Sequence, residues 1–256
     1  MRILVYNIAY GTGSPVSALE MAAGIRNYIR TPERYLDAIT KLVRRCRVDV
    51  AGFLEVDRGS FRTGGRNQLL ELSQAVGSGG NVRVQHKYQP GSTLGRLPYL
   101  RHQTNALLVR DPLRQEHWSD FMPCGAKRLI LGCCVEDAVE ILLVHLALGG
   151  GVRQKQLDYL ARLVENKKRC IVCGDFNTFD PGRDLEKFLN RTGMKSANSG
   201  HENTYPARKP CRELDYILYS PDLPLKSFRV IPFPGSDHLP LLAEFDLSAC
   251  SALKNA

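Results

Sequence analysis

Residues 169–181, RCIVCGDFNTFDP, carry an apolar run of strand length into two polar residues, Asp175 and Asn177, with one residue between them. The continuous apolar CIVC reads as a central strand covered on both faces. Side chains two apart on an extended backbone point the same way, so Asp175 and Asn177 can face one ligand from the strand's carboxyl end. Asp and Asn also favour turns and helix caps. The pair alone therefore leaves a structural and a chemical reading open, and the rest of the chain has to decide.

The same construction recurs along the sequence. Strand-like runs RILVYNI, VDVAGFLEV, VRVQHKY, TNALLVR, RLILGCCV, VEILLVHLAL, RELDYILYS, LKSFRVIPF and LPLLAEFDL alternate with helical stretches near 33–46, 66–76, 151–166 and 183–191. In the first helix Tyr35, Leu36, Ile39, Leu42 and Val43 have the spacing of one buried face. Many strands and few helices predict two sheets packed face to face with helices outside, as one domain over 1–248 followed by a tail at 249–256. Asn7, Glu55, His145, Asp175 and Asn177 all fall at or near strand ends, and Asp237 and His238 lie in the loop PFPGSDHLP before the last strand. Solvation alone does not explain metal- or phosphate-competent groups at so many separate strand ends.

Bulk properties set the outer limits. Of 256 residues 43% are apolar, enough for a sizeable core, and 35 basic against 26 acidic residues give a formal charge of +9. That balance favours anionic partners: nucleic acid, anionic lipid surfaces or phosphorylated small molecules. MRILVYNIAYG lacks the form of a signal peptide, and the longest apolar run, ILLVHLAL, is far below the roughly 18 residues of a membrane span. Both point to a cytoplasmic protein. The eight cysteines read as reduced thiols. CIVC has metal-like spacing, yet positions i and i+3 of a strand face opposite ways and no second ligand pair is spaced to match.

Taken in order, VYNIAYG (Asn7), GFLEVDRGSFR (Glu55), TNALLVR (Asn105), LLVHLAL (His145), CGDFNTF (Asp175, Asn177), ELDYILYS (Asp215) and GSDHLPLLAEF (Asp237, His238) resemble the endonuclease/exonuclease/phosphatase superfamily. The resemblance runs from residue 7 to residue 245. It implies a DNase-like α/β fold, a four-layer α/β/β/α sandwich of two mainly antiparallel sheets, and metal-dependent hydrolysis of a phosphoester. Glu55 would be the first ligand of a Mg²⁺ ion (Mn²⁺ serving as well), with the Asn7 amide oxygen beside it and Asp237 contributing. Asp175 would deprotonate the attacking water and Asn177 orient it. His145 and His238 would stabilise charge on the phosphoryl oxygens, and Asp215 would hold His238 through a ring nitrogen. Asn105 would touch phosphate. AP endonucleases carry tyrosine where this chain has His145, which places the resemblance in the histidine-type branch.

Substrate signals are thinner. Residues 88–105, YQPGSTLGRLPYLRHQTN, mix apolar side chains with Arg96, Arg101 and His102, suiting a phosphate joined to something greasy or aromatic. TYPARKPCRELDY brings Arg212 near Asp215, and Arg101 and Arg212 are the expected substrate-binding cations. Residues 16–35 have the apolar and basic content of a surface helix that could touch an anionic membrane. The expected activity is therefore a phosphodiesterase or phosphatase on a small-molecule or lipid phosphoester. A nuclease on DNA or RNA comes next, then a non-catalytic phosphate-binding protein. Oligomeric state is not legible.

Overall fold

The computed structural model describes residues 1–14, 30–79, 83–86, 102–180 and 184–247. Strands β1 (Arg2–Asn7), β2 (Val50–Asp57), β3 (Arg83–His86), β4 (Gln103–Val109), β11 (Leu225–Val230) and β12 (Leu241–Phe245) form one sheet in the order β11-β12-β1-β2-β4-β3. Strands β5 (Gln115–Phe121), β6 (Leu129–Val135), β7 (Val139–His145), β8 (Cys170–Asp175), β9 (Lys195–Ser196) and β10 (Asp215–Tyr219) form the other, in the order β5-β6-β7-β8-β10-β9. Each sheet contains one parallel pair, β1 with β2 and β7 with β8, among antiparallel neighbours.

Parallel neighbours need a crossover, and helices supply it. Helix α1 (Glu33–Cys46) lies between β1 and β2, and α3 (Gly150–Val164) between β7 and β8. Helix α2 (Gln68–Val76), capped by the Asn67 side chain, and α4 (Glu186–Thr192) complete the outer layers. The alternation of the strands divides the core. Val5, Leu54, Leu107, Leu143, Cys173 and Ile217 meet between the sheets, while Leu4, Phe53 and Leu108 pack under α1 and α2. Leu142, Val172 and Leu218 pack under α3 and α4. These are the four layers expected from the sequence.

Strands β5 and β9 do not appear in the hydrophobic pattern. QEHWSDF is an edge strand with mostly half-buried residues, and KS is only two residues long. Helix α4 begins at Glu186, later than the expected 183, and the run 88–101 and most of the run 16–35 fall outside the described residues. Among the described residues no helix is long and apolar enough to cross a membrane.

Candidate active site

The two parallel pairs place four strand ends together. Alternation continues past the inter-sheet core: Asn7 lies two residues beyond Val5, His145 two beyond Leu143 and Asp175 two beyond Cys173, while Asp215 stands two before Ile217. All four side chains therefore face between the sheets at one end of the sandwich, where all are buried. Ladder register aligns three of them in a row, since Asp175 pairs with His145 on β7 and with Asp215 on β10.

Glu55 reaches the same end by a different route. With Leu54 facing the inter-sheet core and Val56 facing the helices, strict alternation leaves no inward position for Glu55. The β2–β4 ladder slips between Phe53 and Val56, and Glu55 takes a left-handed φ of 55° as the extra residue of the bulge. A bulge re-aims a side chain in this way. Its N–H donates to Asn105 Oδ1 at 3.3 Å, so buried Asn105 braces the bulge.

Asp175 is the hub. Its Oδ2 accepts from Asn7 Nδ2 at 3.1 Å, lies 3.2 Å from His145 Nε2 and stands 3.9 Å from His238 Nε2. Asn7 Oδ1 accepts the Ala9 N–H, so in this orientation its amide serves Asp175. Asn177 joins the site differently from the strand alternation expected. It follows the end of β8 in a left-handed conformation, φ 51°, where its N–H donates to Asp175 Oδ1 and its side chain donates to Leu146 O. The short turn closed by the Asp175 carboxylate, not a shared strand face, brings the two together.

His238 Nδ1 lies 2.8 Å from Asp215 Oδ2, which also accepts Thr204 Oγ1 at 2.6 Å. The Tyr205 ring packs tilted against the His238 ring, with centroids 5.0 Å apart and planes at 52°. Asp237 is half-buried with its Oδ1 taken by the Ser236 hydroxyl. Arg212 is exposed and lies over the Phe179 ring at 5.0 Å. Arg101 lies outside the described residues.

Burial and charge set the protonation states. Burial pushes Asp175 up, but His145, His238 and Lys127 outweigh it and hold the carboxyl well below its usual range. Burial disfavours the His238 cation, yet Asp215, Asp175 and Asp237 together lift it to about 10. Asp215 is raised by burial, against the pull of His238. Asp237 is raised by burial and by repulsion from Glu55, against the pull of His238. Near neutral pH the site holds an acidic Asp175 carboxylate beside an imidazolium on His238. So acidic a carboxylate orients a water readily and takes its proton only as attack on phosphorus acidifies that water.

The donor set fits a hard divalent cation. Repulsion from Glu55 adds to burial in raising Asp237, a cost that a divalent cation would relieve. Asp175, Asp215 and His238 also bring one ligand-type atom each within 4.8 Å of one another. There, however, Asp215 and His238 are already joined, and Asp215 also holds Thr204. Lys127, with its Nζ 3.9 Å from Glu55 Oε1 and in contact with His145 Nε2, and Thr204 are site residues that sequence reasoning missed. CGAKRL carries no motif, and TYPARKPC draws attention only through its cations.

The family model described as Endonuclease/Exonuclease/phosphatase family matches residues 4–238. The chain belongs to this family. Its branch within the family is not resolved by the match. A curated relative, the uncharacterized protein YbhP of Escherichia coli K12, is 30% identical over 170 residues, covering 57% of this chain and 64% of YbhP. The chain thus matches under two thirds of that relative's length. Among solved structures, the mannosyl-6-phosphatase Bt3783 of Bacteroides thetaiotaomicron VPI-5482 superposes with a TM-score of 0.66 at 15% identity, covering 96% of this chain and 99% of that one. A humanized TDP2 of D. rerio gives 0.63 at 13% identity over 96% of this chain and 98% of that one. At these identities the likeness is one of fold.

Proposed function

We propose that the protein is a divalent-metal-dependent hydrolase of a small-molecule or lipid phosphoester, working as a single catalytic domain over residues 1–248 with a tail at 249–256. The observation that carries this reading is the row His145, Asp175 and Asp215 at one end of the sandwich, with His238 and Glu55 closing on it. Glu55 and Asp237, bordered by Asn7, would hold Mg²⁺ or Mn²⁺. The ion supplies neutralisation of phosphoryl charge when bound.

The remaining work falls to the chain's own groups. Asp175 orients water for in-line attack, with Asn177 fixing the Asp175 carboxylate through its N–H. His145 and the His238 imidazolium donate toward phosphoryl oxygens, and Asp215, itself steadied by Thr204, keeps His238 charged and oriented. Asn105 acts through the Glu55 bulge as well as at the phosphate wall. Arg212 would meet the substrate, and Arg101 is the second substrate-binding cation expected from the sequence. His145 favours the histidine-type branch. A nuclease is the second reading, favoured by the formal charge of +9.

Purified protein with Mg²⁺ or Mn²⁺ is assayed on bis-p-nitrophenyl phosphate, p-nitrophenyl phosphate, mannose 6-phosphate, sphingomyelin, phosphoinositides, plasmid DNA and RNA. The sugar phosphate is included because the neighbour Bt3783 bears that name. Cleavage of small or lipid esters without nucleic acid supports the first reading. Nucleic-acid cleavage whose affinity falls steeply with salt supports the second. Asp175→Ala is expected to lower turnover at least 10²-fold with the fold retained, and EDTA to silence the wild type. Turnover that survives excess EDTA removes the metal, and a protein inert on every ester is a phosphate binder at most.

A further inference from the structure

We infer that Lys127 is a further phosphate-binding residue of this site, its ammonium placed to take a non-bridging phosphoryl oxygen. The inference rests on the reading of the pocket as a phosphoester site. Lys127 lies in the loop between β5 and β6, and its side chain is three-quarters covered, with 24% exposed. Nζ contacts His145 Nε2 and stands 3.9 Å from Glu55 Oε1, between two groups on opposite sheets.

The loop behind this lysine is held unusually firmly. Gln156 on α3 is fully buried, and its Nε2 donates to the carbonyls of Cys124 at 2.9 Å and of Lys127 itself at 2.8 Å. Its Oε1 accepts the N–H of Ala147, two residues past His145, at 2.9 Å. One buried amide thus ties the backbone of Lys127 to the segment that follows His145. Gly125, at φ +94°, lets the loop close on that amide, since a Cβ there would stand 2.8 Å from Gln156 Nε2. Met122 N–H donates to Arg128 O at 2.8 Å and closes the loop's base.

Stability alone is a poor reason for this construction. A 3.9 Å ion pair reached by solvent contributes little to folding. An anionic phosphoryl group bound at this site would be repelled by the carboxylates of Glu55, Asp175 and Asp237, and the cation beside Glu55 offsets that repulsion. An ammonium has three donors. It can keep one on Glu55 and give another to the substrate, the usual part of lysine as a point-charge phosphate binder.

The test compares wild type, Lys127→Met and Lys127→Arg. Binding of inorganic phosphate and tungstate is measured by calorimetry, and bis-p-nitrophenyl phosphate turnover in Mn²⁺. Lys127→Met is expected to weaken both anions about 10-fold and lower kcat/KM about 10²-fold, as loss of one phosphoryl donor does, at nearly unchanged Tm. Lys127→Arg is expected to recover part of both. Should Lys127→Met not fold, Lys127→Gln gives the same readings. Unaltered anion affinity in the folded neutral variant, or a wild type that binds neither anion, overturns the inference. A wild type that hydrolyses no ester yet loses anion binding on Lys127→Met sinks the proposed function and leaves the phosphate contact standing.

Discussion

Asp215 Oδ2 accepts from the Thr204 hydroxyl while lying 2.8 Å from His238 Nδ1, so one buried oxygen fixes the position of the imidazole. Its negative charge, with those of Asp175 and Asp237, overcomes the burial that would neutralise His238 and lifts it to about 10. Asp215→Asn keeps the shape and loses the charge. The variant should fold, titrate His238 well below the wild type by NMR, and lose about 10–100-fold in kcat, the usual cost of a mutated supporting partner. A His238 that titrates unchanged in Asp215→Asn would contradict that account. Asp175, Asp215, His145 and His238 were readable as single residues because each ends or borders an apolar run. Lys127, Thr204 and Gln156 were not, because a lone loop ammonium, a hydroxyl and an amide bound to loop backbone leave no periodic trace.

At the level of elements, the parallel β7–β8 pair does most of the positioning, and Gly174 makes its close approach possible. Gly174 sits at φ +137°, and a Cβ there would lie 1.9 Å from the backbone oxygen of Val144 on β7. No side chain can yield to relieve that contact. Gly174→Ala should lower Tm by many degrees or prevent accumulation of folded protein, since backbone strain and a backbone clash coincide. A variant with wild-type Tm would mean that the pairing is looser than described. Gln156→Leu tests the neighbouring crossover. It leaves the carbonyls of Cys124 and Lys127 and the Ala147 N–H without their buried partner, at a cost of about 1–3 kcal/mol. Urea unfolding should show that loss together with weakened turnover, because the same amide carries the loops of Lys127 and His145. The sequence pattern announces the parallel strands through CIVC and ILLVH, whereas the bulge at Glu55 and the left-handed Asn177 break the very alternation from which strands are read. Edge strand β5, with its polar composition, fails for the opposite reason: it buries too little to show a period.

Across the whole molecule, the two sheets and their helices enclose thiols that never meet water. Burial pushes Cys133 and Cys173 up to about 12 from an ordinary 9.0, and drives Cys170 upward for the same reason. In the unfolded chain these thiols ionise near pH 9; in the folded protein they stay neutral until far higher. A folded value raised above the unfolded one contributes stability that is complete below pH 9 and is lost as pH climbs toward 12. Each such thiol should steepen the fall in unfolding free energy by up to about 1.4 kcal/mol per pH unit within that window. Urea midpoints taken at pH 8, 9, 10 and 11 should therefore hold nearly steady to pH 9 and then drop. Cys133→Ala, though less stable at pH 8 for the cavity it leaves, should show a shallower alkaline slope than wild type by about one thiol's share. Equal slopes in the two proteins would show that Cys133 already ionises in the fold, and that the inter-sheet core is open to solvent where the packing between β6 and β7 says it is closed.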